Sequence, residues 1–286
     1  MRLGGSVTMP GGRLPAAEAR SAAVSRSART PHVTIRLPRL IDSNWVNLKD
    51  RLERLLGEEF AHEGELARVA ESDTAPAAGA WRATDHLGHF TLWRRLFLDH
   101  TRAALARSNP ATPPDDLDAV NDRQLAMDRR WPAGELVTRW RQQCEETLDF
   151  LHRCGGADLD HPPAWYAAAT VGAALIRNSY THPCGHLVDF YFERGQLETA
   201  AGLAEEMADV AHELSDLDFR FPAGTYAFRG FAYALRGRPD EAMGAFGQAV
   251  ALRPALGPML REEASLASLR GRPDFEAMTA PHDATT

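Results

Sequence analysis

The chain has 286 residues and a hydrophobic fraction of 44%, enough for one large or two modest domains with a substantial core. Its net charge of −7 argues against general affinity for nucleic acid, and no apolar run approaches the roughly 18 residues of a membrane span. Three cysteines without a CxxC pair fit a protein of the reducing cytoplasm better than a disulfide scaffold.

The amino-terminal residues 1–39 differ in composition from the rest of the chain. They hold seven arginines and a single acid, Glu18, among many Ser, Ala and Gly residues. The segment lacks the apolar core of a secretion signal. We therefore predict a disordered basic segment over residues 1–39, or a start codon assigned too early with Met9 as the true start, and we favour both over a transit peptide or a basic interaction arm.

From Leu40 onward, apolar residues recur with helical periodicity and few segments alternate in polarity, so the sequence predicts an all-α fold. A first helix is predicted from Ile41 to about Phe60. A linker rich in Ala and Pro follows over Asp73–Gly79. Thr84 is the expected N-cap of a second helix that ends near Ala106.

The second half of the predicted bundle begins after a Pro-rich crossover at 109–118. A short helix is expected at 121–130 and a third long helix from Pro132 to about Arg153. A fourth helical stretch is expected over 167–194. Pro183 lies inside it, so this stretch either kinks there or restarts with Pro183 in its first turn.

The carboxy-terminal third has a different pattern over Ala223–Leu256. Large and small residues occupy positions typical of the 34-residue tetratricopeptide repeat: Tyr226, Gly230, Tyr233, Gly237, Ala242, Phe246, Ala249 and Pro254. The preceding segment fits the same pattern less well, and 257–278 would form a third, incomplete unit. The sequence thus predicts a four-helix bundle over 40–194, short helical repeats over 195–278 and a disordered tail over 279–286, with the fourth bundle helix continuing into the repeats.

Three histidines in two separated segments form the candidate reactive centre. His182 and His186 are four residues apart, so on a helix they share one face, and His89 would come from a neighbouring helix. Three imidazoles in this arrangement predict a metal site with open coordination positions. His86 competes with His89 for this role, and Cys184 would point elsewhere on a regular helix.

Other candidate site residues surround these histidines in the sequence. Asp85 would either orient an imidazole or cap the second helix. Trp81, Trp131 and Trp165 lie near predicted helix ends, where they would form the wall of an apolar ligand pocket. The alternative for tryptophans in this half of the chain is that they fill the core.

The bundle half resembles the DinB-like superfamily, especially its ClbS/DfsB-type branch, over about Leu40–Gly195. The match rests on Trp81-x3-Asp85-x3-His89-x3-Trp93, on Asn121 ahead of the third long helix, and on His182-x3-His186. The resemblance implies a divalent metal on His89, His182 and His186, with His86 outside the triad. Pro183 and Cys184, and the fused repeats, depart from the superfamily's minimal pattern.

By this resemblance, the protein is expected to be a cytoplasmic enzyme that hydrolyses a small electrophilic metabolite, or that uses a low-molecular-weight thiol for transfer or isomerisation. Self-protection against a reactive natural product is the expected setting. Asp85 and Asn121 are candidate orienting groups, and imidazole ligands suit zinc, nickel or iron. The alternative is a non-catalytic scaffold that binds a ligand, or a protein or peptide in the groove of the repeats. Bundles of this kind often form homodimers, and the sequence leaves the oligomeric state open.

Overall fold

The structure, a computed structural model, describes residues 43–77, 80–108, 116–163, 168–218 and 220–280. These residues form helices and contain no β-strand, which confirms the all-α prediction. The predicted disordered segment 1–39 lies outside the described residues. The α-helices are α1 Ser43–Val69, α2 Ala83–Leu105, α3 Leu117–Asp128, α4 Ala133–Arg153, α5 Gly156–Leu159, α6 Val171–Ile176, α7 His182–Glu193, α8 Leu197–Glu213, α9 Arg220–Leu235, α10 Pro239–Leu252, α11 Leu256–Glu262 and α12 Pro273–Thr279.

Helix α1 is longer than the sequence predicts, because it continues past Phe60 to Val69. The reason lies in the composition of its buried face. Leu52, Leu56 and Leu66 are fully buried there, but Glu59 and Glu63 occupy inward positions between them. Two buried carboxylates interrupt the apolar periodicity on which the prediction was based.

Four helical segments pack side by side in the amino-terminal half, and we call them the bundle. They are α1, α2, α4 and the continuous stretch from α6 to α7. Helix α1 contacts the other three segments, and α2 contacts both α4 and α7. Helix α4 begins and ends as predicted, and α3 packs against α2 as a short helix. None of the described helices is long and apolar enough to cross a lipid bilayer.

The fourth segment of the bundle changes helical type along its length. Helix α6 runs into a π-helical turn over Arg177–Thr181, and α7 begins directly after it at His182. Pro183 is then in the first turn of α7, where its missing N–H is tolerated. The backbone stays helical through this turn, so the segment changes helical type without a break, and Pro183 lies in the first turn of α7, as one of the two predictions placed it.

The carboxy-terminal half is a succession of paired helices. Helices α7, α8, α9 and α10 each pack against the next one in the chain. Gly195 and Gly237 adopt φ values of +70° and +68° at the turns α7–α8 and α9–α10, and Gly271 has φ +85° before α12. Left-handed glycines at these turns let the chain reverse direction within a few residues.

One hydrophobic core continues across the predicted boundary at residue 195. It includes Leu52 and Leu87 in the bundle together with Met207, Phe231 and Phe275 in the paired helices. The two halves are therefore packed into one helical body, with α7 contributing to both.

The predicted disordered tail begins too early. Thr279 is the last residue of α12, it is fully buried, and its hydroxyl donates to the Phe275 carbonyl oxygen at 2.8 Å. Packing against the core holds this end of the chain. Residues 281–286 lie outside the described part of the protein.

Gly230 marks the closest approach between α9 and α10. A Cβ atom at Gly230 would lie 2.5 Å from Cε1 of the fully buried Phe246 ring. We expect Gly230→Ala to lower the free energy of unfolding by about 1–3 kcal/mol through overpacking, as measured by urea denaturation. Gly244→Ala in α10 is the matched control, since nothing lies within 4 Å of its added Cβ. The control should be neutral or stabilising by about 0.5–1 kcal/mol, and equal losses in both variants would contradict the packing argument.

Candidate metal centre

The amino-terminal end of α2 is fixed by Asp85. The helix begins at Ala83 with Arg82 as its N-cap, so Thr84 is inside the helix and is not the cap that the sequence predicts. The Asp85 carboxylate accepts a hydrogen bond from the Arg82 backbone N–H at 3.0 Å and pairs with the Arg82 and Arg129 guanidinium groups. These bonds hold the pKa of Asp85 below its ordinary value despite burial. Asp85 therefore caps the helix, the second of its two predicted roles, and its hydrogen bonds go to arginines and not to an imidazole.

His89, His182 and His186 converge as the sequence predicts. His89 comes from α2 and the other two from the first turns of α7. The Nε2 atom of His182 lies 3.0 Å from Nε2 of His89 and 3.1 Å from Nε2 of His186. The three ligand atoms lie within 4.8 Å of one another, and the three side chains are buried.

Hydrogen bonding alone cannot fully satisfy this arrangement. A ring nitrogen of neutral histidine carries either one proton or one in-plane lone pair. Nε2 of His182 can therefore make a full hydrogen bond to one of its two neighbours, whereas it lies within 3.1 Å of both. A single cation accepts all three lone pairs. The separations of 3.0 and 3.1 Å from His182 suit one, because two nitrogens that each lie about 2.1 Å from an ion in tetrahedral geometry are about 3.4 Å apart. The donor set thus fits a transition metal ion.

Burial keeps the three imidazoles neutral. Desolvation and the neighbouring histidines hold the pKa of His89 and of His182 well below the ordinary value, and desolvation lowers the pKa of His186 to about 4. Neutral imidazole is the form that binds a metal ion. The environment therefore prepares all three side chains as ligands near neutral pH.

Trp81 covers the histidines from the linker that precedes α2. Its ring stacks on His186 with centroids 5.5 Å apart and meets His89 edge-on at 5.0 Å. Arg194, at the end of α7, donates to the Trp81 carbonyl oxygen at 3.3 Å and forms an ion pair with Asp73. These contacts place Trp81 directly against two of the histidines, and Arg194 ties its linker to the helix that carries His182 and His186. That Trp81 forms the wall of an apolar ligand pocket stays a prediction.

His86 is buried beside the triad but outside it. Its ring lies against Trp81, His186 and Phe190, and neither of its nitrogens has a hydrogen-bond partner in the structure. Of the two histidines that competed on α2, His89 is the one whose nitrogen joins His182. Desolvation lowers the pKa of His86 well below its ordinary value, so it too is neutral.

Asn121 acts on the site through a tryptophan. Its Oδ1 atom, on α3, accepts a hydrogen bond from Nε1 of Trp93 at 3.0 Å. The Trp93 ring in turn lies edge-on to His89 and His182, with centroids 6.0 and 6.3 Å apart. Asn121 thus holds a ring that lies against the histidines, and its role as an orienting group in a reaction stays a prediction.

The other two predicted pocket residues do not join Trp81. Trp131 is 46% exposed, between α3 and α4, and the Arg139 guanidinium stacks over its ring at 3.9 Å. The structure therefore places Trp131 at the surface against Arg139, and its role as a pocket wall stays a prediction. Trp165 lies outside the described residues.

Cys184 points away from the histidines, as expected for a residue two positions from each on a helix. Its thiol donates to Oε2 of Glu59 on α1 at 2.6 Å. Burial raises the pKa of both groups well above their ordinary values, so the thiol and the carboxyl group are both protonated. Cys184 therefore belongs to the bundle core.

Sequence reasoning missed a buried ion pair next to the site. Arg94 on α2 and Glu63 on α1 are both fully buried and form a two-pronged pair. The sequence did contain a sign that Arg94 is buried. Arg94 follows Phe90 by four residues and precedes Phe97 by three, which places a charge on the apolar stripe of α2.

The buried histidines predict a specific pH dependence of stability once metal is removed with a chelator. As the pH falls below about 6.5, the unfolded chain binds protons that buried His86, His89, His182 and His186 do not take up in the folded state. Stability is therefore full above about pH 6.5 and is lost toward pH 4, by about 1.4 kcal/mol per pH unit for each such group. Urea denaturation at several pH values measures this slope.

A variant and a control make the pH dependence attributable. His86→Phe should make the slope shallower, since one buried titrating group is removed, whereas His212→Gln on the exposed face of α8 should leave it unchanged. A slope that is the same in both variants would contradict the assignment.

Comparison with known proteins adds no relative to this picture. No protein-family model matches the chain, and searches of curated proteins and of solved structures found no significant match. The resemblance to the DinB-like superfamily and to tetratricopeptide repeats therefore stays a prediction based on motifs.

Proposed function

We propose that this protein is a metal-dependent enzyme of the DinB-like type that acts on a small electrophilic metabolite. The observation that carries the proposal is the convergence of Nε2 atoms from His89, His182 and His186 in a buried, aromatic-walled site. The reaction is a hydrolysis or a thiol-dependent transfer or isomerisation. We propose self-protection or detoxification as its setting.

Three protein ligands leave coordination positions open, and a bound zinc, nickel or iron ion would supply Lewis acidity that lowers the pKa of a water or a low-molecular-weight thiol. The residues of the chain provide the surroundings. Trp81 and Trp93 place apolar ring surface on two sides of the histidines, which excludes bulk water. Asn121 and Arg194 fix these rings through the Trp93 indole and the Trp81 carbonyl.

We further propose that the protein works in the cytoplasm. Cys144, Cys154 and Cys184 are free and buried, so the fold of the described residues holds together without a disulfide. Such a thiol content suits a reducing compartment, which is also where low-molecular-weight thiols are abundant. We also propose a homodimer as the oligomeric state, which a measurement of molecular mass in solution would test.

A second candidate is a non-catalytic binding protein, and the paired helices α7 to α10 favour it. Consecutive helices that pack in pairs, with left-handed glycines at the turns, support this candidate, because helical repeats commonly bind a protein or peptide in a groove. In that case the bundle would bind a ligand stoichiometrically or act as a scaffold. Tight ligand binding by metal-free protein without turnover would favour this second function.

The first experiment is elemental analysis of protein purified without an affinity tag. We expect about one equivalent of a transition metal per chain, lost in the His89→Ala variant and retained in His86→Ala, whose imidazole is buried outside the triad. Metal-loaded protein should then consume small electrophiles, such as epoxides or other reactive ring compounds, in assays with and without added thiol. Absence of metal from the wild-type protein even after supplementation would refute the metal-dependent mechanism.

A further inference from the structure

The backbone immediately before His182 has an unusual requirement for a hydrogen-bond donor. In the π-helical turn Arg177–Thr181, the His182 N–H donates to the Arg177 carbonyl oxygen, five residues back. Where the chain returns to α-helix, the α-helical partner of the Ser179 carbonyl oxygen is residue 183. Residue 183 is proline, which has no N–H to give.

A side chain from the neighbouring helix reaches this carbonyl group. The Nη2 atom of Arg94 donates to the Ser179 carbonyl oxygen at 3.3 Å. Arg94 lies on α2, five residues after His89, whereas Ser179 precedes His182 by three residues. One hydrogen bond thus joins the two chain segments that must bring His89 and His182 together.

The guanidinium group is held firmly for this task. Its Nη1 atom donates to Oε2 of Glu63 at 2.7 Å, its Nη2 atom also donates to the Glu63 carboxylate, and the Phe60 ring lies 4.7 Å away. Glu63 in turn accepts a hydrogen bond from Nε1 of Trp140 on α4. The carboxylate therefore fixes the direction in which the second N–H of Arg94 Nη2 points to the Ser179 carbonyl oxygen.

We infer that Arg94 is a positioning residue of the histidine site. Its side chain, on α2, donates to the Ser179 main-chain carbonyl oxygen the hydrogen bond that Pro183 cannot donate. An apolar pair of similar volume would fill the same core space at comparable stability. It would not, however, bond to a carbonyl group across two helices. This inference rests on the proposed function, since the geometry that Arg94 fixes is that of the proposed metal ligands.

The consequence falls on His182 in particular. Its Nε2 atom is the one within 3.1 Å of both other ligand nitrogens. Metal sites need their ligands held to within about 0.5 Å, so a small shift of the π-helical turn relative to α2 would weaken binding. Arg94 thus compensates for Pro183: the proline has no backbone N–H for the Ser179 carbonyl oxygen, and the arginine side chain supplies an N–H in its place.

The test is Co²⁺ binding, followed by the visible absorption of the bound ion and titrated in four proteins. These are the wild type, the paired variant Arg94→Met with Glu63→Gln, Pro183→Ala, and all three substitutions combined. The paired variant should bind Co²⁺ about 10- to 100-fold more weakly, as for other residues that support a ligand. Pro183→Ala alone should change little. The combined variant should regain most of the affinity, because its new backbone N–H can donate to Ser179.

Two controls separate positioning from general stability. Trp140→Phe removes another partner of Glu63 but leaves the bond from Arg94 to Ser179, so it should lower stability without weakening Co²⁺ binding. If the paired variant does not fold, Arg94→Leu with Glu63→Met removes both members of the buried pair, and the same weakening is expected. Wild-type affinity in either folded double variant, or no recovery on adding Pro183→Ala, would overturn the inference.

The inference can also fail separately from the proposed function. If the wild-type protein binds no Co²⁺, the metal mechanism fails, and the Arg94 link is then tested by unfolding without metal. Pro183→Ala should stabilise the paired variant more than it stabilises the wild type, because only the paired variant lacks a donor for Ser179. Additive effects of the substitutions would refute the link.

Discussion

The His182→Ala variant is expected to lose affinity for Co²⁺ or Zn²⁺ by more than about hundredfold, exceeding the loss typical of a residue that only supports a ligand. His182 supplies the nitrogen that lies 3.0 Å from that of His89 and 3.1 Å from that of His186. Its removal leaves only the nitrogens of His89 and His186 as ligands. Competition titration against a chromophoric chelator measures the change.

His86→Ala is the matched control for this loss. His86 is buried to a similar degree and packs against Trp81 and His186, but its nitrogens do not join the cluster. The control should keep metal affinity within about threefold of the wild type, although it leaves a cavity that costs stability. Equal losses in His86→Ala and His182→Ala would mean that metal binds elsewhere or that both variants act through unfolding.

The second large effect is expected from Arg94→Met, which should lower the free energy of unfolding by about 3–5 kcal/mol. The substitution leaves Glu63 fully buried without its cation and next to Glu59, another buried carboxyl group. Burying a carboxylate without a compensating cation is costly, and this cost is what the substitution adds to the folded state. Urea denaturation at neutral pH measures the loss.

Adding Glu63→Gln to Arg94→Met should recover most of this stability, because the second substitution removes the unpaired charge while keeping an acceptor for Trp140. Arg238→Met is the control at the surface, where Arg238 pairs with Glu241 and both side chains are about half exposed. It should change stability by less than about 1 kcal/mol. A small loss in Arg94→Met, similar to that of the surface control, would show that the buried pair contributes little.

The amino-acid sequence determined the helical class and the pairing of His182 with His186 on one helix face. Apolar periodicity fixes which face of each helix is buried, so the helix around His89 and the third long helix were predictable from local pattern. The spacing of His182 and His186 places both on one face of α7. Left-handed turns at Gly195 and Gly237 followed from glycine at the end of an amphipathic run.

Local pattern failed where a charge replaces an apolar residue in the core. Glu59, Glu63 and Arg94 are fully buried, and their burial depends on partners that are distant in the chain. The prediction therefore ended α1 nine residues too early, at Phe60 instead of Val69, and it did not anticipate the ion pair. The same limit applies to Trp131, whose helix-end position does not determine whether its ring turns inward or toward Arg139.

Only the tertiary structure decided which residues interact with one another at the site. The sequence allowed Asp85 to cap a helix or to orient an imidazole, and the approach of Arg129 from the end of α3 fixed it as a cap. It allowed His86 or His89 as the third histidine, and the packing of α2 against α7 brought His89 to His182. Sequence spacing sets which side chains share a face, whereas the packing of helices sets which faces meet, and the histidine cluster depends on both.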